Sequence, residues 1–269
     1  MAIAAPLPSA RRAVEPAVAT TTDASGIRQY SLGQIGAIWA AAALPMAFLA
    51  WVVAPWLSHH LDGPGRMPKA LLLCLTGGLI WQFVLVAGLV FREQRSLRPS
   101  RLRQALWLNA PRSPRTGRRG GLLWLVLIPL ILGFGVEELL PEPSVPASHD
   151  FTTFLDSHAG HALLAGHWAW FALIVVLAVF NTVLGEELLF RGVLLPRMNG
   201  VFGRRDWLAN GVLFATYHLH MPWAIPTALA DTFLLSYPSK RYRSALIGIA
   251  VHSAQSVVLI GICLSLVLA

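Results

Sequence analysis

Two adjacent carboxylates, Glu186 and Glu187, lie in the sequence GEELLF at the end of the apolar run WAWFALIVVLAVFNTVL. Two histidines, His218 in VLFATYHLH and His252 in IAVHSAQSV, lie within other apolar segments. Ionisable side chains are costly inside a membrane, so they are functional candidates by default. A carboxylate with two imidazoles is typical of sites that activate water, either as a general base or as ligands of a metal ion.

The three segments bring these groups to a similar depth, as estimated from the nearest arginine of each segment. At the helical rise per residue, Glu186 lies about 16 Å before Arg197. By the same measure, His218 and His252 lie about 20 and about 14 Å after the arginines that precede them. We therefore expect the three side chains to converge in one lipid-shielded pocket.

Helical spacing assigns different environments to the two glutamates. Glu187 and Arg191 are four residues apart and share a helix face, which predicts an ion pair. Glu186 points about 100° away and has no partner on its own helix. A desolvated carboxylate of this kind is suited to act as a general base. The alternative is a plain charge cluster at a helix end, solvated by lipid headgroups.

The histidines also have neighbours at helical spacing. Phe214 and His218 are four residues apart, so the phenyl ring is expected to shield the imidazole from water. His252 and Ser256 share a face in the same way. His220 is expected to point elsewhere and to lie at the membrane interface. Taken singly, each intramembrane histidine is also compatible with a structural role, bonded to a backbone carbonyl between helices.

The composition indicates which elements carry these residues. Of the 269 residues, 55% are hydrophobic and 13% are charged, about half the charge of a typical soluble protein. The apolar runs are continuous, which excludes a β-barrel. We predict an all-α, polytopic transmembrane helical bundle of about seven spans, with six to eight allowed. The spans are 33–57, 70–91, one from near Gly121 to before Glu137, 167–194, 207–221, 223–237 and 245 to the C-terminus. At least one member of the short pair 207–221 and 223–237 is expected to be broken or re-entrant.

Charge distribution predicts the topology. Segment 92–120 holds nine arginines and one acid, which places it and the N-terminus in the cytoplasm, whereas loop 137–166 has five acids and no Lys or Arg. The net charge of +8 therefore reflects topology in a lipid bilayer, and no nucleic-acid partner is expected. In a second interpretation, SRLRQALWL is an interfacial helix held on anionic lipid.

The chain divides into three predicted parts. Residues 1–30 form a disordered tail, 31–164 are accessory transmembrane helices with the basic loop 92–120, and 165–269 form the catalytic membrane core. An Ala- and Arg-rich chain with two lysines is typical of a GC-rich bacterium, which predicts a multi-pass protein of the inner membrane. The sequence does not define an oligomeric state.

Three ordered motifs resemble a known family. EELLFR at 186–191 matches EExxxR, FATYH at 214–218 matches FxxxH, and HSAQS at 252–256 matches the first member of HxxxN. These motifs are similar to those of the CPBP (Abi) family, which comprises type II CAAX prenyl endopeptidases and bacterial bacteriocin-processing or self-immunity relatives. The resemblance covers about 165–269.

The resemblance implies intramembrane endopeptidase activity on a peptide or protein in or near the membrane. By position, Glu186 and His218 would activate water, and His252 with Ser256 would stabilise the oxyanion. Glu187, Arg191 and Phe214 would support them. Two mechanisms stay open: Glu186, His218 and His252 as three ligands of Zn²⁺ with an open fourth position, or a metal-free site in which His252 is the electrophile.

The chain departs from the third motif at Ser256, and this departure is expected to affect the activity. The family has Asn, sometimes Asp, at the position of Ser256, and losing one oxyanion donor typically costs about 10²–10³ in rate. The alternative function is therefore a non-proteolytic immunity or scaffold protein on the same fold. A proton-coupled transporter is disfavoured because the first half lacks a matching polar set. A rhomboid-like serine protease is disfavoured because no GxSG motif lies in a span.

Overall fold

The computed structural model describes residues 22, 26–96, 98–137, 139–140 and 145–269. Most of the predicted tail 1–30, together with Glu138 and residues 141–144 of the predicted outer loop, lies outside the described residues. In chain order the helices are α1 (Leu32–Ser58), α2 (Arg66–Gln94), α3 (Pro99–Ala105), α4 (Gly121–Glu137), α5 (Phe151–Leu155), α6 (His158–Leu164), α7 (Trp168–Arg197), α8 (Asn199–Phe202), α9 (Asp206–Tyr217), α10 (Ile225–Ala228), α11 (Tyr237–Tyr242) and α12 (Ala245–Leu268). The described residues contain isolated β-bridges but no strand.

The predicted all-α polytopic bundle is confirmed. Helices α1, α2, α7 and α12 are long and apolar enough to cross a membrane, and they coincide with the predicted spans 33–57, 70–91, 167–194 and 245 onward. Helix α4, at the third predicted span, is shorter. Large apolar side chains, such as Phe48 and Val257, are exposed on the outside of the long helices, as expected for lipid contact. The chain is a multi-pass membrane protein.

The short predicted pair is broken, as expected for one of its members. Helix α9 has 12 residues, and the chain from 222 to 242 forms a 3₁₀ turn (Pro222–Ala224), α10, a π-turn (Thr232–Ser236) and α11. Pro222, Pro226 and Pro238 each lie in the first turn of one of these pieces. Proline has no backbone N–H. In the first turn of a helix none is needed, but a preceding helix cannot continue through the proline, so each proline divides the segment.

The segments predicted to face the cytoplasm meet at one end of the bundle. The Tyr30 amide donates to Arg197 O at 2.9 Å, and the Ala245 amide donates to Trp107 O at 2.9 Å. The buried Arg197 guanidinium binds Glu93 at 2.7 Å, which joins the ends of α2 and α7. Burial raises the pKa of the Tyr30 hydroxyl, which donates to Glu93.

These contacts revise two predictions at that end. Residues 27–30, the last four of the predicted tail, are packed against the bundle, and Ile27 lies in a cluster with Trp107, Leu195 and Ala245. The lipid-bound interpretation of SRLRQALWL is wrong for its apolar residues. Leu106 and Trp107 are buried against protein, because the chain after α3 folds under the end of α7.

An aromatic cluster lies at the opposite end. The His149 ring stacks on Trp51 at 4.7 Å between ring centroids and meets the Trp223 ring edge-on at 5.7 Å. The Trp51 indole N–H also donates to Leu219 O at 2.8 Å. Burial lowers the pKa of His149, which keeps the stacked ring neutral. The cluster therefore connects α1 and the 145–150 segment to the loop that follows α9.

Candidate active site

Helix α7 is not a regular α-helix where it carries the glutamates. Two π-helical stretches, Phe180–Gly185 and Leu188–Leu194, flank Glu186 and Glu187. A Cβ at Gly185 would lie 2.5 Å from Phe180 O, so the first of these stretches requires glycine there. π-helical turns occur frequently at functional sites, because the widened turn changes the direction of the side chains that follow.

Glu187 is the centre of a buried ionic network. Its Oε1 accepts from Arg191 Nη1 at 2.9 Å and from His252 Nδ1 at 3.1 Å. The Arg191 guanidinium lies 4.0 Å above the Phe214 ring, and its Nη2 is 3.4 Å from Ser236 Oγ. The predicted ion pair is confirmed, and the alternative of a headgroup-solvated cluster is wrong, since both members of the pair are fully buried.

Glu186 has a different environment from Glu187. It is 2% exposed, and the Tyr217 hydroxyl from the end of α9 donates to its carboxylate. His252, Glu187 and Arg191 of the ionic network are its electrostatic neighbours. Tyr217 was not identified from the sequence, where its one signal is that it directly precedes His218.

His218 lies where α9 ends and its tautomer is defined by a backbone contact. Its Nδ1 is 3.0 Å from Phe214 O, and its ring meets the Phe214 ring edge-on at 5.0 Å and 88°. A carbonyl can only accept, so Nδ1 carries a proton and Nε2 of the neutral ring is an acceptor. The predicted shielding of His218 by Phe214 is confirmed.

Phe214 also joins the second histidine to the first. The His252 ring lies 6.2 Å from the Phe214 ring and 5.7 Å from the Phe134 ring. Because His252 Nδ1 is bound to Glu187, its Nε2 is left for other partners. Ser256 lies one turn further along α12 and is buried. The described structure thus arranges Glu186, His218 and His252 around Phe214 and Tyr217.

The prediction for His220 was wrong. His220 is 6% exposed, and its ring stacks on His218 at 5.5 Å and meets Tyr217 edge-on at 5.4 Å. The reason is that the helix ends at Tyr217 and His218 has ψ 38°, so the backbone turns and helical spacing no longer gives the direction of His220. Asp231, also missed, is buried and is an electrostatic neighbour of His252.

The donor set does not fit a metal ion. Among the residues that the structure describes, no group of three or more His, Cys, Asp or Glu side chains is arranged to hold one. The Nδ1 contacts of His218 and His252 to Phe214 O and Glu187 leave each Nε2 available, so it is the placement of the side chains, and not these hydrogen bonds, that disfavours a metal site. The proposed set Glu186, His218 and His252 is therefore not supported as a Zn²⁺ site, and we assign no step to a metal.

Comparison with known proteins adds a family to this geometry. A sequence model of the family described as type II CAAX prenyl endopeptidase Rce1-like matches residues 168–258. The chain contains a Rce1-like domain. No curated protein and no solved structure matches the chain significantly.

The Rce1-like domain covers about a third of the chain and includes all three motifs. It extends from the first residue of α7 into α12, past Ser256. Gln82 of α2, whose side chain donates to the Tyr217 hydroxyl, lies outside it. The Rce1-like domain therefore does not contain every buried polar residue that surrounds Glu186.

Proposed function

We propose that this protein is an intramembrane endopeptidase that hydrolyses a peptide bond of a membrane-associated or membrane-proximal substrate. The observation that carries the proposal is the division of labour between adjacent glutamates. One oxygen of Glu187 is held by both Arg191 and His252, whereas Glu186 lies outside this ion pair, accepts from the Tyr217 hydroxyl and is proposed to activate water. The Rce1-like match supports the same class of reaction.

In the proposed mechanism Glu186 is the general base. It takes a proton from a water molecule that is also bound by His218 Nε2, and the hydroxide attacks the peptide carbonyl carbon. Glu186 then returns the proton to the leaving nitrogen as the C–N bond breaks. The Nδ1 contact to Phe214 O supports this role of His218, because it leaves Nε2 as the acceptor.

His252 is proposed to stabilise the oxyanion, with Ser256 as a second donor. In the imidazolium form both ring nitrogens are donors, so Nδ1–H binds Glu187 and Nε2–H is left for the substrate oxygen. Glu187, Arg191 and Phe214 hold that ring in place. Preorganised donors are most effective in a site that excludes bulk water, which the burial of this cluster supports.

We also propose the cellular setting. The meeting of residues 27–30, 92–120, α7 and the start of α12 at one end supports a cytoplasmic N-terminus under the positive-inside rule. A bacterial inner membrane fits the composition, as does a division into accessory helices at 31–164 and a catalytic core at 165–269. A substrate other than a prenylated protein fits that setting.

The test is comparative membrane proteomics with mapping of new N-termini. Cells with the wild-type protein are compared with Glu186→Gln, His218→Ala and His252→Ala, and with Asp62→Asn, an exposed acid, as the matched control. We expect the same membrane protein to accumulate uncut in the three site variants and to be processed normally in the control. Normal processing by the Glu186→Gln protein would refute the assignment.

A second candidate is favoured by one residue. Ser256 replaces the amide that the family motif carries, so a scaffold that binds a peptide without cutting it is also supported. A scaffold predicts identical N-termini in all strains, together with a partner that still co-purifies with the Glu186→Gln protein.

A further inference from the structure

Gln82 is a buried polar side chain of α2 with one side of its amide in use. It is 0% exposed, and its Nε2 donates to the Tyr217 hydroxyl. Its Oε1 has no hydrogen-bond partner among the described residues. An amide in an apolar interior is costly unless bonded, so its position beside Tyr217 calls for a functional explanation.

Proton counting gives the direction of the hydrogen bonds from Gln82 to Glu186. An ionised carboxylate only accepts, and a tyrosine hydroxyl has one proton to donate. If that proton goes to Glu186, the hydroxyl oxygen must accept from a third group, and Gln82 Nε2 supplies that donor.

We propose that Tyr217 and Gln82 are positioning residues that hold one oxygen of Glu186 so that the other faces the attacking water. The proposal rests on the function proposed above. Tyr217 suits the role because it is fully buried between the Phe190 and His218 rings, at 5.4 and 5.1 Å. The hydroxyl therefore stays in place, next to the histidine that shares the water with Glu186.

The proposal assigns an active role to the N-terminal half. Gln82 lies 86 residues before the Rce1-like match begins at residue 168, and α2 also packs against α7, where Leu79 O is 3.4 Å from a Cβ built at Gly185. Helix α2 thus contacts the glutamate-bearing helix through its backbone, and it reaches the base Glu186 through the Gln82 amide and the Tyr217 hydroxyl. An Rce1-like domain without α2 would lack the donor to Tyr217.

The test is infrared difference spectroscopy of purified protein in lipid nanodiscs over a pH series. The carboxyl C=O band of Glu186 is identified as the band that disappears in Glu186→Gln. We expect Tyr217→Phe to shift this band and its titration midpoint, because the carboxyl loses a donor. Gln82→Leu should shift both in the same direction by less. Tyr237→Phe, at an exposed tyrosine, and Gln104→Leu, at an exposed glutamine, are the matched controls.

Coupling between the two residues separates positioning from general support. Since both act through one hydroxyl, Gln82→Leu should have no further effect on the Glu186 band in the Tyr217→Phe background. Once a substrate is known, Tyr217→Phe should lower kcat about 10- to 100-fold, the usual worth of a hydrogen bond to a charged group, with KM little changed.

Each outcome bears on the proposal. An unshifted Glu186 band in Tyr217→Phe protein with a normal melting temperature overturns it, and so do additive shifts in the double variant. If Tyr217→Phe fails to fold, the Gln82→Leu spectrum decides in the same way. The spectra need no substrate, so the proposed peptidase function can fail in the proteomic test while the hydrogen-bond chain is confirmed, and the reverse.

Discussion

Gly248→Ala introduces one methyl group at the most tightly packed point of the ionic network. Gly248 lies on α12, one turn before His252, and a Cβ there would be 2.3 Å from Glu187 Oε2 and 3.2 Å from Ser239 Oγ. Neither oxygen has a hydrogen-bond partner among the described residues, and both are buried. To make room, the Glu187 carboxylate must rotate, and its Oε1 then leaves both Arg191 and His252.

The expected cost follows from these contacts. Overpacking a well-packed core costs about 1–3 kcal/mol, and breaking a buried ion pair by removing a partner costs about 3–5 kcal/mol. Alanine in place of a helical glycine returns about 0.5–1 kcal/mol. Rotation breaks these hydrogen bonds but removes neither charge, so the ion-pair cost is only partly incurred and we expect a net destabilisation of about 1–3 kcal/mol. Activity should fall by about 10²–10³, the usual effect of losing one oxyanion donor, because His252 is no longer held.

The matched control is Gly261→Ala on the same helix. A Cβ at Gly261 meets nothing within 4 Å, so this variant should be as stable as wild type or slightly more stable. Melting temperatures in nanodiscs and substrate processing in cells measure the two effects. The reasoning fails if Gly248→Ala melts at or above Gly261→Ala, or if it processes substrate at the wild-type rate.

Three further predictions address other parts of the molecule. Ser256→Asn should keep or raise the rate of substrate processing, because an amide is a longer oxyanion donor; a loss of processing would count against the oxyanion role. Arg191→Met should destabilise the protein by about 3–5 kcal/mol by leaving Glu187 poorly compensated in the interior, and an unchanged melting temperature would contradict the network. His149 has a pKa lowered by burial, so its free form binds more protons than its stacked form. The stacking on Trp51 should therefore weaken as the pH falls below about 6.5, seen as faster hydrogen exchange at 145–150 and a change in tryptophan fluorescence. A His149→Phe variant should lose this pH dependence. If exchange and fluorescence of the wild-type protein do not change with pH, the predicted weakening of the stacking is wrong.

The long helices could be predicted because their signal is local. A run of about 20 apolar residues leaves few options other than a membrane-spanning helix, and the four longest runs are the four long helices. The short predicted pair 207–221 and 223–237 was harder to predict. Its length and prolines indicated a break, but where the chain turns depends on packing against α7 and α12, which spacing does not contain.

At the site, prediction succeeded within a helix and failed between helices. The Glu187–Arg191 and Phe214–His218 contacts follow from four-residue spacing, and both are present. His252 binds Glu187, not Glu186, because the approach of α12 is set by its packing against the rest of the bundle. Gln82 has no sequence signal, because nothing local shows that it faces α9.

The arrangement also explains why two neighbouring glutamates are present where one acts as the base. An electrophilic His252 needs an acceptor at Nδ1, and Glu187 supplies it while Arg191 offsets the charge. A single glutamate could not do both, since holding Nδ1 of His252 requires a carboxylate fixed in an ion pair, and taking a proton from water requires one that faces the water. Placing them at adjacent positions turns them to different neighbours, His252 for Glu187 and Tyr217 for Glu186. Exchange of their roles is therefore not expected: Glu187→Gln keeps an acceptor for His252 and should retain some activity, whereas Glu186→Gln has no base and should retain none.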